Sequence, residues 1–310
     1  MKKYGLAFLM LALLALACGW FAPPEPVQIP LTRLPPTAPP KTAISALTPD
    51  QVKNAKVQLV SQDKHQIVQL TNGAYQSAAD VSSPDFMSIN LTPQMAFGDL
   101  NGDGVGDAAL LLAENYGGSG VFVSLVAMLD QNGQPLQAAS VLIDDRPKIN
   151  SLGIRNGQIL LDAIVHGPND PACCAARPTK QTFRYAFGKL MRTAFSSAAP
   201  DGTERLITIT RPSDGDQFKS SAPLTVTGAV TIAPFENNLV YSVFDSNGDQ
   251  VSTGSLLVQA SQPGGPGSFS LPVDLSRISA TGPVLIQFVD SSPADGSILS
   301  LGSVMINIVR

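Results

Sequence analysis

A mainly β fold follows from three observations on the sequence. Asn-Gly pairs at 72–73, 101–102, 132–133, 156–157 and 247–248 sit between apolar or alternating runs, and Asn-Gly is the strongest short hairpin signal because both turn positions take φ > 0. Apolar strands are expected at 107–114, 120–129, 140–143, 149–155 and 158–165, each bounded by turn residues. One stretch alone carries clear helix signals, 47-LTPDQV-52. There Thr48 caps, Gln51 completes a capping box, Pro49 takes the first helical position and Leu47 staples onto Val52. This short helix is expected to end near Lys56. Several strand positions are apolar on consecutive residues, which predicts central strands covered on both faces, with the capped helix as a candidate cover.

The first residues bear on where the chain works. Lys2 and Lys3 precede an unbroken apolar run from Leu6 to Ala17, too short to span a bilayer, so residues 1–17 read as a signal peptide. Two cleavage routes are open. The segment 15-ALA-17 suits ordinary signal peptidase, while 14-LALAC-18 resembles a bacterial lipobox, with Ala15 where that pattern prefers Leu. The lipobox reading implies a diacylglyceryl thioether on Cys18, and a lone thiol at a secreted N-terminus would otherwise be open to oxidation. The expected location is extracytoplasmic, anchored to the bacterial cell membrane through that lipid. After Cys18, 22-APPEPVQIPLTRLPPTAPP-40 holds eight prolines in nineteen residues. Residues 18–40 are therefore expected to form an extended, semi-rigid spacer.

Without residues 1–17 the chain keeps 18 Lys and Arg against 24 Asp and Glu, a formal charge of −6. Nucleic acid is a poor partner for such a surface. Three cysteines in the whole chain exclude a disulfide scaffold. About 270 residues follow the spacer, enough for two domains. The strand pattern breaks at 194-AFSSAAPDGTE-204, where small and turn residues replace it. That places a hairpin-rich α+β domain with one short helix at 41–195 and a second domain at 205–310.

The second segment reads as about seven short strands with turn residues every eight to twelve positions, the pattern of a β-sandwich. Its stretches 207-ITITRPSDGD-216, 221-SAPLTVTGAV-230, Phe235-Glu236, 240-VYSVFDSNGDQV-251, Gly254, 266-PGSFSLPV-273 and 287-QFVDSSPADGSILSLGSVMINI-308 resemble the immunoglobulin-like domain of bacterial spore-germination lipoproteins of the GerMN-associated type. That resemblance implies an immunoglobulin-like β-sandwich acting as an extracytoplasmic interaction module, and it supplies no catalytic residue. The segment has no Cys pair and no Trp, so its core lacks the antibody-type staple. Nothing in the chain resembles the GerMN domain itself. Residues 40–195 resemble a domain of bacterial envelope lipoproteins to which no activity is attached, through 47-LTPDQVKNA-55, 96-AFGDLNGDGVGDAALLLAENYGGSGVFVSLVAML-129 and 145-DRPKINSLGIRNGQILLDAIVHGPNDPACC-174.

Within 96-AFGDLNGDGVGDAALL-111, Asp99, Asn101, Asp103 and Asp107 fall at positions 1, 3, 5 and 9 of a calcium loop, with the Val105 carbonyl at 7 and Gly104 at 6. Position 12 is Leu110 instead of Glu, and the flanks are strands instead of helices. Gly98 to Asp107 are similar to the strand-flanked calcium loop of integrin-type FG-GAP repeats, over one repeat only. Two readings stand. In one, a structural calcium ion offsets the repulsion of three carboxylates, since no Lys or Arg occurs between residues 65 and 145. In the other, the segment is a tight turn with Asx bonds. The similar 245-DSNGD-249 lacks further ligands and reads as a hairpin turn.

Cys173 and Cys174 adjoin in 167-GPNDPACCAARP-178, a loop by its Pro and Gly content. They are read either as a strained vicinal disulfide or as two buried small hydrophobes. A zinc site lacks ligands, because His166 and His65 are the only histidines. Neither histidine adjoins a nucleophile-elbow motif, and Asp144-Asp145-Arg146 reads as a solvated turn with a local ion pair, so the chain is read as no enzyme. The function expected is a surface-anchored binding or structural lipoprotein of the cell envelope with a calcium-stabilised loop and a protein or envelope-polymer partner. The alternative is an extracytoplasmic inhibitor or sensor acting through the 167–178 loop.

The anchor is tested directly. Cys18→Ala should release the protein from membranes or block its processing. Unchanged detergent partitioning of that variant would remove the lipoprotein assignment.

Overall fold

Thr48 and Gln51 close a reciprocal capping box at the start of α1 (Pro49–Lys53), with the Thr48 N–H donating to Gln51 Oε1 at 2.8 Å. The computed structural model describes residues 46–61, 66–278 and 280–310. The expected signal peptide, Cys18, the proline-rich spacer and His65 lie outside the described residues. Helix α1 stops at Lys53, short of Lys56, because Asn54 turns the chain. The Asn54 N–H bonds the Gln51 and Val52 carbonyls, and its side chain accepts from Asn72 N. A helix of five residues is not stable alone; Leu47 and Val52 hold it by packing into an apolar cluster.

From that cap the chain forms a hairpin of β1 (Lys56–Gln58) and β2 (Ile67–Gln69), then an antiparallel meander. The meander comprises β3 (Ala74–Gln76), β4 (Ser88–Gly98), β5 (Asp107–Asn115), β6 (Phe122–Gln131) and β7 (Gln134–Asp145), in chain order. A second meander follows with β8 (Lys148–Arg155), β9 (Gln158–Val165), β10 (Arg177–Ala186) and β11 (Lys189–Ala198). Asn-Gly turns set three of these steps, with both residues at positive φ at 72–73, 132–133 and 156–157. At 101–102 and 247–248 only the glycine is left-handed, and nearby aspartates shape the turn instead. The β10–β11 turn was not legible in advance, since Phe187, a bulky residue, takes φ 57° there ahead of Gly188.

Consecutive apolar residues in β5 and β6 are explained by burial on both faces. Leu110, Leu112, Val126 and Met128 pack against α1 and the β1–β2 hairpin. Leu111, Leu125 and Ala127 pack against Ile159, Leu161 and Phe183 of β9 and β10. Each fully buried side chain of this kind contributes about 2 kcal/mol of transfer free energy, which outweighs local propensity in fixing the pairing.

The second lobe contains β12 (Glu204–Arg205), β13 (Ile207–Arg211), β14 (Gln217–Lys219), β15 (Leu224–Val230), β16 (Asn238–Phe244), β17 (Gln250–Leu257), β18 (Gln259–Ala260), β19 (Gly267–Val273), β20 (Gly282–Ser291) and β21 (Ile298–Val309). Strands β13, β15, β19 and β18 form one sheet. It faces β17, β16, β20 and β21 across a shared core, in which the Phe269 and Phe288 rings lie 4.9 Å apart. This is the expected β-sandwich.

The expected break at 194–204 is only partly a break. Strand β11 runs on to Ala198, and the turn that follows is closed by the Ala199 N–H on the Thr203 carbonyl. Strand β11 meets β21 at Phe195 and Leu301, so β8–β9–β10–β11 and β21–β20–β16–β17 belong to one ten-stranded sheet with β12 and β14 alongside. The small residues read as a linker form a seam: Ser197 Oγ donates to the Leu299 carbonyl and Ser303 Oγ to the Thr193 carbonyl, both at 2.7 Å. The described residues fall within one compact unit.

Beside the seam, Asp290 of β20 is 2 % exposed, and neither carboxylate oxygen has a hydrogen bond. Its compensation is Arg205 Nη1 at 3.5 Å. Burial holds this carboxyl above its ordinary value, against the pull of Arg205. The folded state therefore binds the Asp290 proton more tightly than the unfolded chain does, and stability is lost as pH rises from the unfolded carboxyl value through the folded one. Asp290→Asn should raise stability at neutral pH by about 1 kcal/mol and remove that slope, whereas Arg205→Ala should cost about 3 kcal/mol. Urea melts across roughly pH 4 to 7 check both; equal slopes in wild type and Asp290→Asn would refute the account.

Candidate functional site

The loop between β4 and β5 brings the expected calcium residues together as a self-bonded turn. Asp99 Oδ1 accepts from Gly102 N at 2.6 Å and Oδ2 from Gly104 N at 2.8 Å. Asn101 Oδ1 accepts from Asp103 N, and Asp103 Oδ1 accepts from Val105 N at 2.7 Å. Asp107 is fully buried at the head of β5, and its two oxygens accept from Leu100 N and Asp130 N at 2.8 and 2.9 Å. Burial pushes its carboxyl above the ordinary value, and the negative Asp103 and Asp99 act in the same direction against those two donors.

The donor set is all oxygen, which suits a hard cation. However, no three His, Cys, Asp or Glu side chains among the described residues are grouped to hold a metal ion. Five backbone N–H groups already meet the three carboxylates. Such bonds favour the charged form and offset part of the repulsion among the carboxylates, although at Asp107 burial still outweighs them. In this arrangement the loop is a turn braced by its own carboxylates. Asp245 works alike at the β16–β17 turn, accepting from Asn247 N and Asp249 N.

A second buried carboxylate was missed in the sequence. Glu114 at the foot of β5 accepts from Ser61 N and Ser61 Oγ, from the Tyr116 hydroxyl and from Ser124 Oγ. Its only sequence signal was a lone charge closing an apolar strand.

The third place is the loop between β9 and β10. Asp170 Oδ2 accepts from Gly167 N and Ala176 N at 2.8 and 2.7 Å and so clasps both ends of the loop. These bonds lower the Asp170 carboxyl. The Cys174 N–H turns back onto the Pro171 carbonyl at 2.8 Å, and the Arg146 guanidinium bonds the Ala172 carbonyl. Arg146 also pairs with Asp145 at 2.6 Å, and His166 Nδ1 with Asp144 at 2.9 Å. The Asp144 carboxylate raises the His166 imidazole above its ordinary value. The local ion pair expected in Asp144-Asp145-Arg146 is present, but the segment is a half-buried brace under the loop instead of a solvated turn. Cys173 and Cys174 are joined by a disulfide and are exposed. That corrects the reading of two buried small hydrophobes: a loop whose every anchor is polar has no apolar interior to receive them.

A cavity of about 530 Å³ lies among α1, β1–β2 and the start of β7. Its walls carry Gln58, Gln69, Gln134 and Gln137, and the Gln137 amide bonds both the N–H and the carbonyl of Gln58. Among the described residues its lining holds one charged side chain, Lys56, and no acid opposite it.

Residues 206–297 match the family model Gmad2, described as an immunoglobulin-like domain of bacterial spore germination. The match covers less than a third of the chain and falls on the β-sandwich lobe. No curated protein matches the chain.

Calcium titration of chelator-stripped protein distinguishes the two states of the 98–107 loop. A braced turn leaves the melt unmoved, and Asp103→Ala then costs about 1 kcal/mol with or without calcium. A rise of several degrees that Asp103→Ala abolishes would restore the metal assignment.

Proposed function

We propose that the chain is a binding or structural lipoprotein of the bacterial cell envelope, held to the membrane through Cys18 and meeting its partner through the immunoglobulin-like lobe. The observation that carries this reading is a set of exposed large apolar side chains near one edge of that lobe. Leu257 is 71 % exposed, Phe235 62 % and Val240 43 %. Leu257 of β17 lies opposite Asn238 of β16, two residues from Val240, and Phe235 is in the turn that enters β16. Strand β17 is one of the two edge strands along the path of the ten-stranded sheet, β8 being the other. Exposed apolar side chains gathered on an edge strand and its neighbour support an interaction surface there. The partner is a protein or an envelope polymer, and the net negative charge makes nucleic acid a poor candidate.

A second reading is an extracytoplasmic inhibitor or sensor. The clasped, exposed loop at 167–178 favours it, because a loop held at both ends presents its tip with little ordering cost on binding.

Capture of envelope components on the immobilised full chain separates the two readings. Phe235→Ser with Leu257→Gln should abolish capture and shift stability by under about 0.5 kcal/mol per site, since both side chains are already in water. Loss of capture through changes at Pro171 to Ala175 instead, with the lobe variant unaffected, would exclude the first reading.

A further inference from the structure

Cys173 and Cys174 occupy the exposed stretch of the loop between β9 and β10, and three features separate their bond from a structural staple. It closes a ring of two consecutive residues, the smallest available, and so constrains the unfolded chain least. It joins no two elements: Asp170 clasps the loop ends and Arg146 holds the Ala172 carbonyl without it. Its Cα atoms are 3.8 Å apart, as adjacency requires, below the roughly 4.4–6.8 Å usual for cross-linked cysteines. Disulfides outside that range are strained and more easily reduced.

Local charge does not drive this. Arg146 and His166 both approach the Ala172 carbonyl, one residue before Cys173. Asp145 and Asp144 pair with them, and Asp170 adds a further carboxylate facing Gly167 and Ala176. The cations near the sulfurs are balanced, so ring size and access carry the argument.

We propose that Cys173–Cys174 is a thiol–disulfide exchange site that takes electrons from an extracytoplasmic dithiol. One thiolate of the dithiol attacks the Sγ of one cysteine, the Cys173–Cys174 bond breaks as the mixed disulfide forms, and the released thiolate takes a proton from water. The second thiol of the dithiol, after losing its proton, attacks its own sulfur in the mixed disulfide and frees the remaining cysteine as a thiolate, which is then protonated. The dithiol ends as a disulfide, and two electrons and two protons have passed to the cysteine pair. The polar clasps stay in place throughout, so the ring opens without unfolding the strands. This gives the sensor reading its chemistry and does not depend on what the immunoglobulin-like lobe binds.

The test uses the full chain purified without reductant. It is equilibrated in glutathione buffers of graded ratio, or with a purified thioredoxin-class dithiol protein, then alkylated and read by peptide mass. A secreted protein with long-loop structural disulfides serves as reference in the same tube. The expected result is a pair unlabelled at the start, half reduced in glutathione buffers that leave the reference oxidised, and reduced by the dithiol protein at least about tenfold faster than the reference. The melting temperature should differ by less than about 2 °C between the two forms, and Cys173→Ser with Cys174→Ser should melt alike. Labelling of both cysteines before any reductant, reduction no easier than the reference, or a loss of several degrees on reduction would each overturn the proposal. None of these outcomes bears on capture through Phe235 and Leu257, so the two assignments fail separately.

Discussion

Strand β5 is the constraint around which the first lobe is built. Its middle is apolar on both faces, so it must be covered twice: by α1 and the β1–β2 hairpin on one side and by β9 and β10 on the other. Its ends are closed by carboxylates, Asp107 at the head and Glu114 at the foot, both fully buried. Neither could be tolerated there unpaired. Each is met by N–H or O–H donors: the backbone of Leu100 and of Asp130 in β6 at one end, Ser61 and the Tyr116 hydroxyl at the other. The two-sided burial thus sets the layers, and the two acids set where the loops cross them.

The same economy of polar groups joins the lobes. One register contact, Phe195 with Leu301, would be a weak seam. Serines on both strands reinforce it through the facing backbone carbonyls, and Arg177 reaches the Ile298 carbonyl while stacking on Phe195 at 5.2 Å. Arg192 covers the same ring at 5.3 Å. The sandwich keeps its own core across this seam, which is how a segment matching an immunoglobulin-like family can share a sheet with a different lobe.

These features bear differently on function. The 98–107 loop has the composition of a metal site, but its carboxylates are turned onto backbone donors. The 167–178 loop is braced from beneath by Asp144, Asp145 and Arg146 and carries its reactive bond outward. In both, carboxylates fix backbone geometry. Only in the second does that fixing leave an exposed group with chemistry of its own.

Sequence alone determined what depends on local chemistry. The capping box at Thr48 and Gln51, the Asn-Gly turns at 72–73, 132–133 and 156–157, the apolar β5, β6 and β9, and the sandwich of the second lobe were all legible, because propensity, turn geometry and periodicity act over a few residues. Tertiary structure decided what depends on a neighbour far along the chain. Residues 194–198 have a linker's composition and are strand because β10 pairs with them from Ala194 to Ser197, with β21 meeting them at Phe195. Phe187 accepts a left-handed turn where its ring lies against Gly248, whose missing Cβ would stand 2.7 Å from that of Phe187. The oxygens of Asp99, Asp103 and Asp107 could be counted in sequence, but their directions were set by Leu100, Gly102, Gly104, Val105 and Asp130. A carboxylate's role follows from the donor it meets, and where that donor lies is a property of the fold.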